Sequence, residues 1–215
     1  MKRSISILAL LLSLTLLPTG CRHAYYAAYE KFGVYKRDLL KKDVIKARDD
    51  QAAAQQQFKD ALTRLKELTK FQGGNLEKAY NSLKSEYEGC AARVESVHNR
   101  VQEVETVAND LFAEWEKEIR EIGTASLREA SQQKLTATRQ KYSELHAALK
   151  SAEQSMDPVL GKLKDYVLFL KHDLNAAAVG SLQGEAASIQ AEISRLIDEM
   201  SRSIARADEF IKSVP

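Results

Sequence analysis

The chain has 215 residues, 29% of them charged, with 32 Lys and Arg against 30 Asp and Glu for a formal net charge of +2. A balance this close to neutral excludes the broad cationic face of a nucleic-acid binder. Three Pro and nine Gly, set among long stretches rich in Ala, Glu, Lys, Leu, Gln and Arg, exclude a loop-rich fold and mark a long-helix protein.

Taken in order, residues 1–20 read as an export signal. Lys2 and Arg3 form a short positive region, and Ile5 to Leu17 form an apolar run too short to span a membrane comfortably. Thr19 and Gly20 then precede Cys21, the arrangement of a bacterial lipoprotein signal, in which the cysteine is lipidated and becomes the first residue. Pro18 stands where such signals prefer Leu, and Leu17 lies one step earlier, so an ordinary cleaved signal and an uncleaved anchor stay open as alternatives. Arg22 is not the aspartate that retains lipoproteins at the inner membrane, which points to the outer membrane. Acyl chains there would hold firmly, since each buried methylene contributes ~0.8 kcal/mol.

Beyond the anchor come Tyr25, Tyr26, Tyr29, Phe32 and Tyr35, broken by Gly33, and then Lys36, Arg37, Lys41, Lys42, Lys46 and Arg48 against Asp38 and Asp43. Tyr25, Tyr26, Tyr29, Lys36, Arg37, Lys41 and Lys42 are therefore the candidate patch for a membrane surface or a partner. The competing reading is packing at a bundle end for the rings and a wet helix face for the charges. Leu39, Leu40, Val44 and Ile45 supply that helix with an apolar side. An Ala/Gln-rich segment with a weak core signal follows, and a clear stripe resumes at Phe58, Leu62, Leu65 and Leu68 before Gly73 and Gly74. Asn75 is a good cap for the next helix, and so short a turn predicts an antiparallel hairpin.

Leu76 to Ile122 carries the longest stripe: Leu76, Tyr80, Leu83, Tyr87, Cys90, Val94, Val97, Val101, Val104, Ala108, Leu111 and Trp115, with Ile122 continuing the register. Alternating steps of four and three are a heptad seam, and a helix of this length is roughly 70 Å long at about 1.5 Å per residue. Such a rod with a narrow apolar stripe must find partners. Cys90 on the seam is a small buried hydrophobe, with a reactive thiol or intermolecular disulfide as the alternative. Ser126 and Glu129 have capping-box spacing for a third helix with the stripe Leu135, Thr138, Tyr142, Leu145, Leu149, Ala152 and Met156. Asp157–Pro158 fits either a new helix start or a kink, with Val159, Leu160, Leu163, Val167 and Leu170 beyond it. A bend over Asn175–Gly180, capped by Ser181, precedes a last helix carrying Leu182, Ile189, Ile193, Leu196, Met200, Ile204, Ala207 and Ile211. The expected fold is all-α: an elongated antiparallel helical bundle or coiled coil of about four long helices, forming one domain over 21–215.

Catalytic signatures are missing from the pattern. His23, His98, His146 and His172 show no paired ligand spacing, Gly73–Gly74 lacks the Lys-Ser/Thr of a phosphate loop, and no nucleophile elbow or zinc signature occurs. Glu114 and Glu118 read as helix-surface charge. The densest polar-aromatic cluster is Tyr166, Phe169, Lys171, His172 and Asn175, at the end of a helix. No metal, cofactor or small-molecule substrate is expected.

Several stretches carry a family resemblance: Ala24–Tyr26, Glu30–Asp38, Lys46–Asp49, Phe71–Gly74, Leu168–Asn175 and Ser181–Gly184. In these the chain resembles the uncharacterised proteobacterial family known as domain of unknown function 2959. The resemblance implies a helical envelope lipoprotein and brings no catalytic residues. Some members go under the name of a DNA repair ATPase, an activity that the missing phosphate loop and the export signal argue against here. The function expected from residues and resemblance together is a non-enzymatic periplasmic scaffold or adaptor, lipid-anchored at Cys21, with an envelope protein as partner. The alternative is direct binding of lipid or peptidoglycan through residues 25–48.

Overall fold

In the computed structural model, residues 26, 33–70, 75–172 and 174–213 are described. Cys21, Tyr25, Tyr29 and the Gly73–Gly74 turn lie outside them. Among the described residues there are four long helices and no strand: α1 (Lys36–Thr69), α2 (Leu76–Glu121), α3 (Ala125–His172) and α4 (Ala176–Ser213). Tyr26 is also helical, so among the described residues there are five helices where the sequence expected about four.

Each long helix packs on its neighbours in sequence, and α4 returns to pack on α1, so the four enclose one core. Polar pairs fix the directions. Asp50 accepts from Arg100 Nε at 2.9 Å while Lys36, earlier on α1, meets Glu114, later on α2. On the closing side Arg48 meets Asp208 at 2.8 Å and Gln183 Nε2 donates to the Thr69 carbonyl at 2.7 Å. Both pairings are antiparallel. The α1–α2 approach is close: a Cβ on Gly89 would lie 2.7 Å from the Gln57 side chain, which donates to Glu86 Oε2 at 2.6 Å.

The core follows the heptads. On α1 the buried positions are Val44, Gln51, Phe58 and Leu65 at one heptad site and Leu40, Ala47, Ala54, Ala61 and Leu68 at the other. The Ala/Gln-rich segment is thus central to the core, not weakly attached to it. Small residues at a heptad site let a neighbouring backbone come near, and their burial depends on spacing more than on hydropathy. On α2 the buried seam runs through Leu83, Cys90, Val94, Val97, Val101, Val104 and Ala108 and then moves to Phe112 and Ile119, leaving Ile122 half-buried. On α4 it takes Ser203 and Phe210, while Ile204 and Ile211, expected in the stripe, are half-buried. Strict heptad spacing from Leu196 through Met200, Ser203, Ala207 and Phe210 outweighs the greater hydropathy of the isoleucines.

The helix ends differ from expectation at two places. α3 starts at Ala125, with Arg128 N donating to the Thr124 carbonyl, and the Arg128 guanidinium closes the turn on the Ile122 carbonyl at 2.7 and 2.9 Å. Ser126 therefore sits inside the first turn. α4 starts at Ala176, five residues before Ser181, because Asn175 Oδ1 accepts from Ala178 N at 2.9 Å and the alanines that follow propagate readily. Asn75 caps α2 as predicted, accepting from Lys78 N at 2.9 Å. At Asp157–Pro158 the helix continues: Pro158 is inside α3 and exposed, so the carbonyl it leaves without a partner, on exposed Gln154, faces water.

Two uncharged polar residues interrupt the apolar interior. Gln51 and Ser203 are both fully buried, and neither Gln51 Oε1 nor Ser203 Oγ has a hydrogen-bond partner among the described residues. The register set by Arg48–Asp208 and Gln55–Ser201 puts them at the same level of the bundle. Gln51→Leu keeps the volume and deletes the orphaned oxygen, so stability should rise by about 1 kcal/mol, seen as a higher urea midpoint. Phe58→Ala should lower it by about 3–5 kcal/mol. A marked loss with Gln51→Leu would show instead that the amide is satisfied in solution.

Candidate functional site

The first residues of α1 lie where the bundle opens. Lys36, on the first turn, has a side chain only 6% exposed. A buried ammonium must be neutralised, and Glu114 of α2 supplies the charge at 2.5 Å, while the Tyr26 ring lies 4.7 Å from Nζ. Tyr26 is buried beside them and its hydroxyl donates to Asp110 Oδ2 at 2.9 Å. The structure therefore spends Tyr26 and Lys36 on tying the chain's N-terminal part to α2. Arg37 and Lys42 are exposed and Lys41 is half-buried. Arg37 stacks on the Tyr35 ring at 5.1 Å and approaches Asp38 at 3.8 Å. The candidate patch is split: an internal tie on one side and an exposed cationic edge on the other.

Beside that edge is a cleft of about 550 Å³, where the start of α1, the later part of α2, the early part of α3 and the end of α4 meet. Among the described residues, α2 and α3 run on past it, because α1 begins opposite Glu114 and α4 is described to Ser213. The floor is Leu40, Leu111, Trp115 and Ala137. Arg37, Lys134, Lys141 and Glu118 stand on the polar side, and the Lys36–Glu114 pair closes one wall. Trp115 is fixed by its indole N–H donating to Ser131 Oγ at 3.0 Å. The volume suits a small molecule, and apolar walls with a few convergent polar groups are the usual make-up of such sites. A second hollow of about 530 Å³ near the start of α2, lined by Arg64, Asn81, Ser85 and their neighbours, has only polar walls and is more open.

Next along the bundle, Tyr142 stacks on His146 with centroids 5.7 Å apart and meets Phe112 and Phe210 edge-on at 5.4 and 6.3 Å. Burial first, then Glu105, pushes the Tyr142 hydroxyl up to about 12, so it stays protonated. His146 is held by Glu105 at 2.8 Å and His98 lies 3.6 Å from Asp157. His172 is exposed, and His23 lies outside the described residues. Among the described residues no group of three or more His, Cys, Asp or Glu is placed to hold a metal ion. The expected polar-aromatic cluster does not converge. Tyr166 is buried, Phe169, Lys171 and His172 are exposed, and Asn175 caps α4. Glu114 neutralises Lys36 and Glu118 lines the cleft. Trp115 was visible in sequence as a seam residue, and nothing in the pattern showed that Lys134 and Lys141 share a cleft with it. Only the meeting of four distant segments creates that.

A model of a protein family described as "Protein of unknown function (DUF2959)" matches residues 25–214 of the chain. No curated protein matches it. No described helix is long and apolar enough to cross a membrane.

Cys90 is buried in the α2 seam, and burial first, then Glu86 and Asp60, push its thiol up to about 12 from 9.0. The native chain should resist alkylation at Cys90 until it unfolds, measured by mass spectrometry. The sign of the pH effect follows from proton binding. Above pH 9 the unfolded thiol ionises while the buried one holds its proton, so stability falls as pH rises towards 12. In Cys90→Ala that fall should be shallower by about 1.4 kcal/mol per pH unit, read from urea midpoints; an unchanged slope would contradict the assignment.

Proposed function

The chain belongs to the DUF2959 family of unknown function, and from that premise we propose that it is a non-enzymatic envelope lipoprotein that works as an adaptor. In this reading it is an elongated rod with coiled-coil packing, anchored through Cys21 in the outer membrane, that presents its far end to a protein partner in the periplasm. The observation that carries it is the exposed apolar trio Leu168, Phe169 and Leu174 at the end of α3. That end is opposite the one where Tyr26, five residues from Cys21, is tied to α2. The α1 helix between the two ends has 34 residues, about 50 Å at 1.5 Å per residue. A bundle that has already buried its heptad seams has little reason to expose three large apolar side chains together unless another surface covers them.

The resemblance in Leu168–Asn175 adds weight, since that stretch contains the trio. The absence of catalytic signatures in the sequence agrees with an adaptor role. A second reading, contact with lipid or peptidoglycan through residues 25–48, is favoured only by the exposed Arg37 and Lys42.

A photo-crosslinking amino acid at Phe169 in cells should capture one or a few discrete envelope proteins, and Leu168→Glu with Leu174→Glu should abolish the capture. Equal capture from a label on the outer face of α1 would contradict the reading. Co-sedimentation of the protein with liposomes and peptidoglycan, with Arg37, Lys41 and Lys42 neutralised, tests the second reading. Binding that does not change would remove those cations from it.

A further inference from the structure

We propose that the cleft at the open end of the bundle binds a single-chain amphiphile with an anionic headgroup. The inference does not rest on the adaptor reading, which concerns the opposite end. It starts from the floor: Leu40 is buried, Leu111 and Trp115 are partly buried, and Ala137 leaves room above them. This apolar floor in a cleft of about 550 Å³ favours a hydrocarbon chain in place of water, at roughly 25 cal/mol per Å² of apolar surface covered.

Charge selects the head. Lys36 and Glu114 neutralise each other, which leaves Arg37, Lys134 and Lys141 against Glu118 around the opening. Lys134 and Lys141 are seven residues apart and so lie on one face of α3. Both are exposed and neither has an ion pair among the described residues. Exposed lysines without an ion pair among the described residues occur elsewhere on the surface, as at Lys117 and Lys164, but only Lys134 and Lys141 stand together with Arg37 over an apolar floor. Two unpaired ammonium groups and a guanidinium over an apolar slot match a carboxylate or phosphate joined to one acyl chain. A diacyl lipid would need twice the apolar room, and a peptide would leave its backbone unpaired against the aliphatic floor.

Trp115 is the chain's single tryptophan and lies on the cleft floor, so it reports occupancy directly. The full chain in a neutral detergent is titrated with dibromostearate, with a dibrominated lysophosphatidylglycerol, and with dibromostearyl alcohol as the uncharged control. Bromine on the bound chain should quench Trp115 saturably with either anionic probe and only weakly with the alcohol. Quenching by one anionic probe alone identifies carboxylate or phosphate as the head it takes. Lys134→Glu with Lys141→Glu should move the midpoint up by about tenfold, and Ala137→Phe, which fills the slot, should abolish saturation, with helicity by circular dichroism unchanged in both. Lys134→Gln with Lys141→Gln, a milder change, should shift the midpoint less in the same direction. Equal quenching by the alcohol, or midpoints indifferent to both lysine pairs, would overturn the proposal.

Discussion

The return of α4 onto α1 is the contact on which the rest of the structure depends. α1 carries two heptad rows that are buried along its whole length, and one partner helix can cover only one narrow seam. α2 covers part of them through a short connection. The remainder is covered by α4, more than a hundred residues away in sequence, through contacts such as Arg48–Asp208 and Gln183 to the Thr69 carbonyl. Each fully buried Leu, Val or Phe contributes about 1.5–3 kcal/mol, so an α1 left half-covered would expose much of what stabilises the fold. Antiparallel order, the short turns and the open end with its cleft all follow from four helices of unequal length closing a ring.

Where that ring departs from apolar packing, the exceptions are placed. Gln51 and Ser203 interrupt the interior at one level, on the two helices that must find each other across the chain. They are costly in stability, because Gln51 Oε1 and Ser203 Oγ are buried with no partner among the described residues. Lys36 and Glu153 are the charged exceptions: Lys36 sits at the bundle end, where Glu114 and the Tyr26 ring compensate its charge, and Glu153 is paired with Lys150 at 2.6 Å. The Lys36–Glu114 pair ties sequence-distant segments together.

Much of the fold was legible because heptad spacing is a local signal. Leu83 to Ala108, Leu145 to Met156 and Ile189 to Met200 could be read by counting. Where hydropathy and heptad spacing disagree, spacing decides burial. Ala47, Gln51, Ala54 and Ser203 look like surface residues and lie in the core, whereas Ile204 and Ile211 look like core and are half-buried. Ser126 has capping-box spacing with Glu129 and Ser181 is a plausible cap, yet Thr124 and Asn175 hold those places. The cleft was not legible at all. Leu40, Trp115 and Lys141 belong to three helices, and no single-helix pattern announces that they converge.

Four helices of one chain close around one core, and the α1–α4 contact tests that closure most directly. Gln55 Nε2 donates to Ser201 Oγ at 2.6 Å. With cysteines placed at both positions in a chain carrying no other free thiol, a short bismaleimide should link α1 to α4 within single molecules, giving a monomer that migrates anomalously in denaturing gels at any protein concentration. Linked dimers as the main product, increasing with concentration, would show that the seams close between chains and would contradict the account.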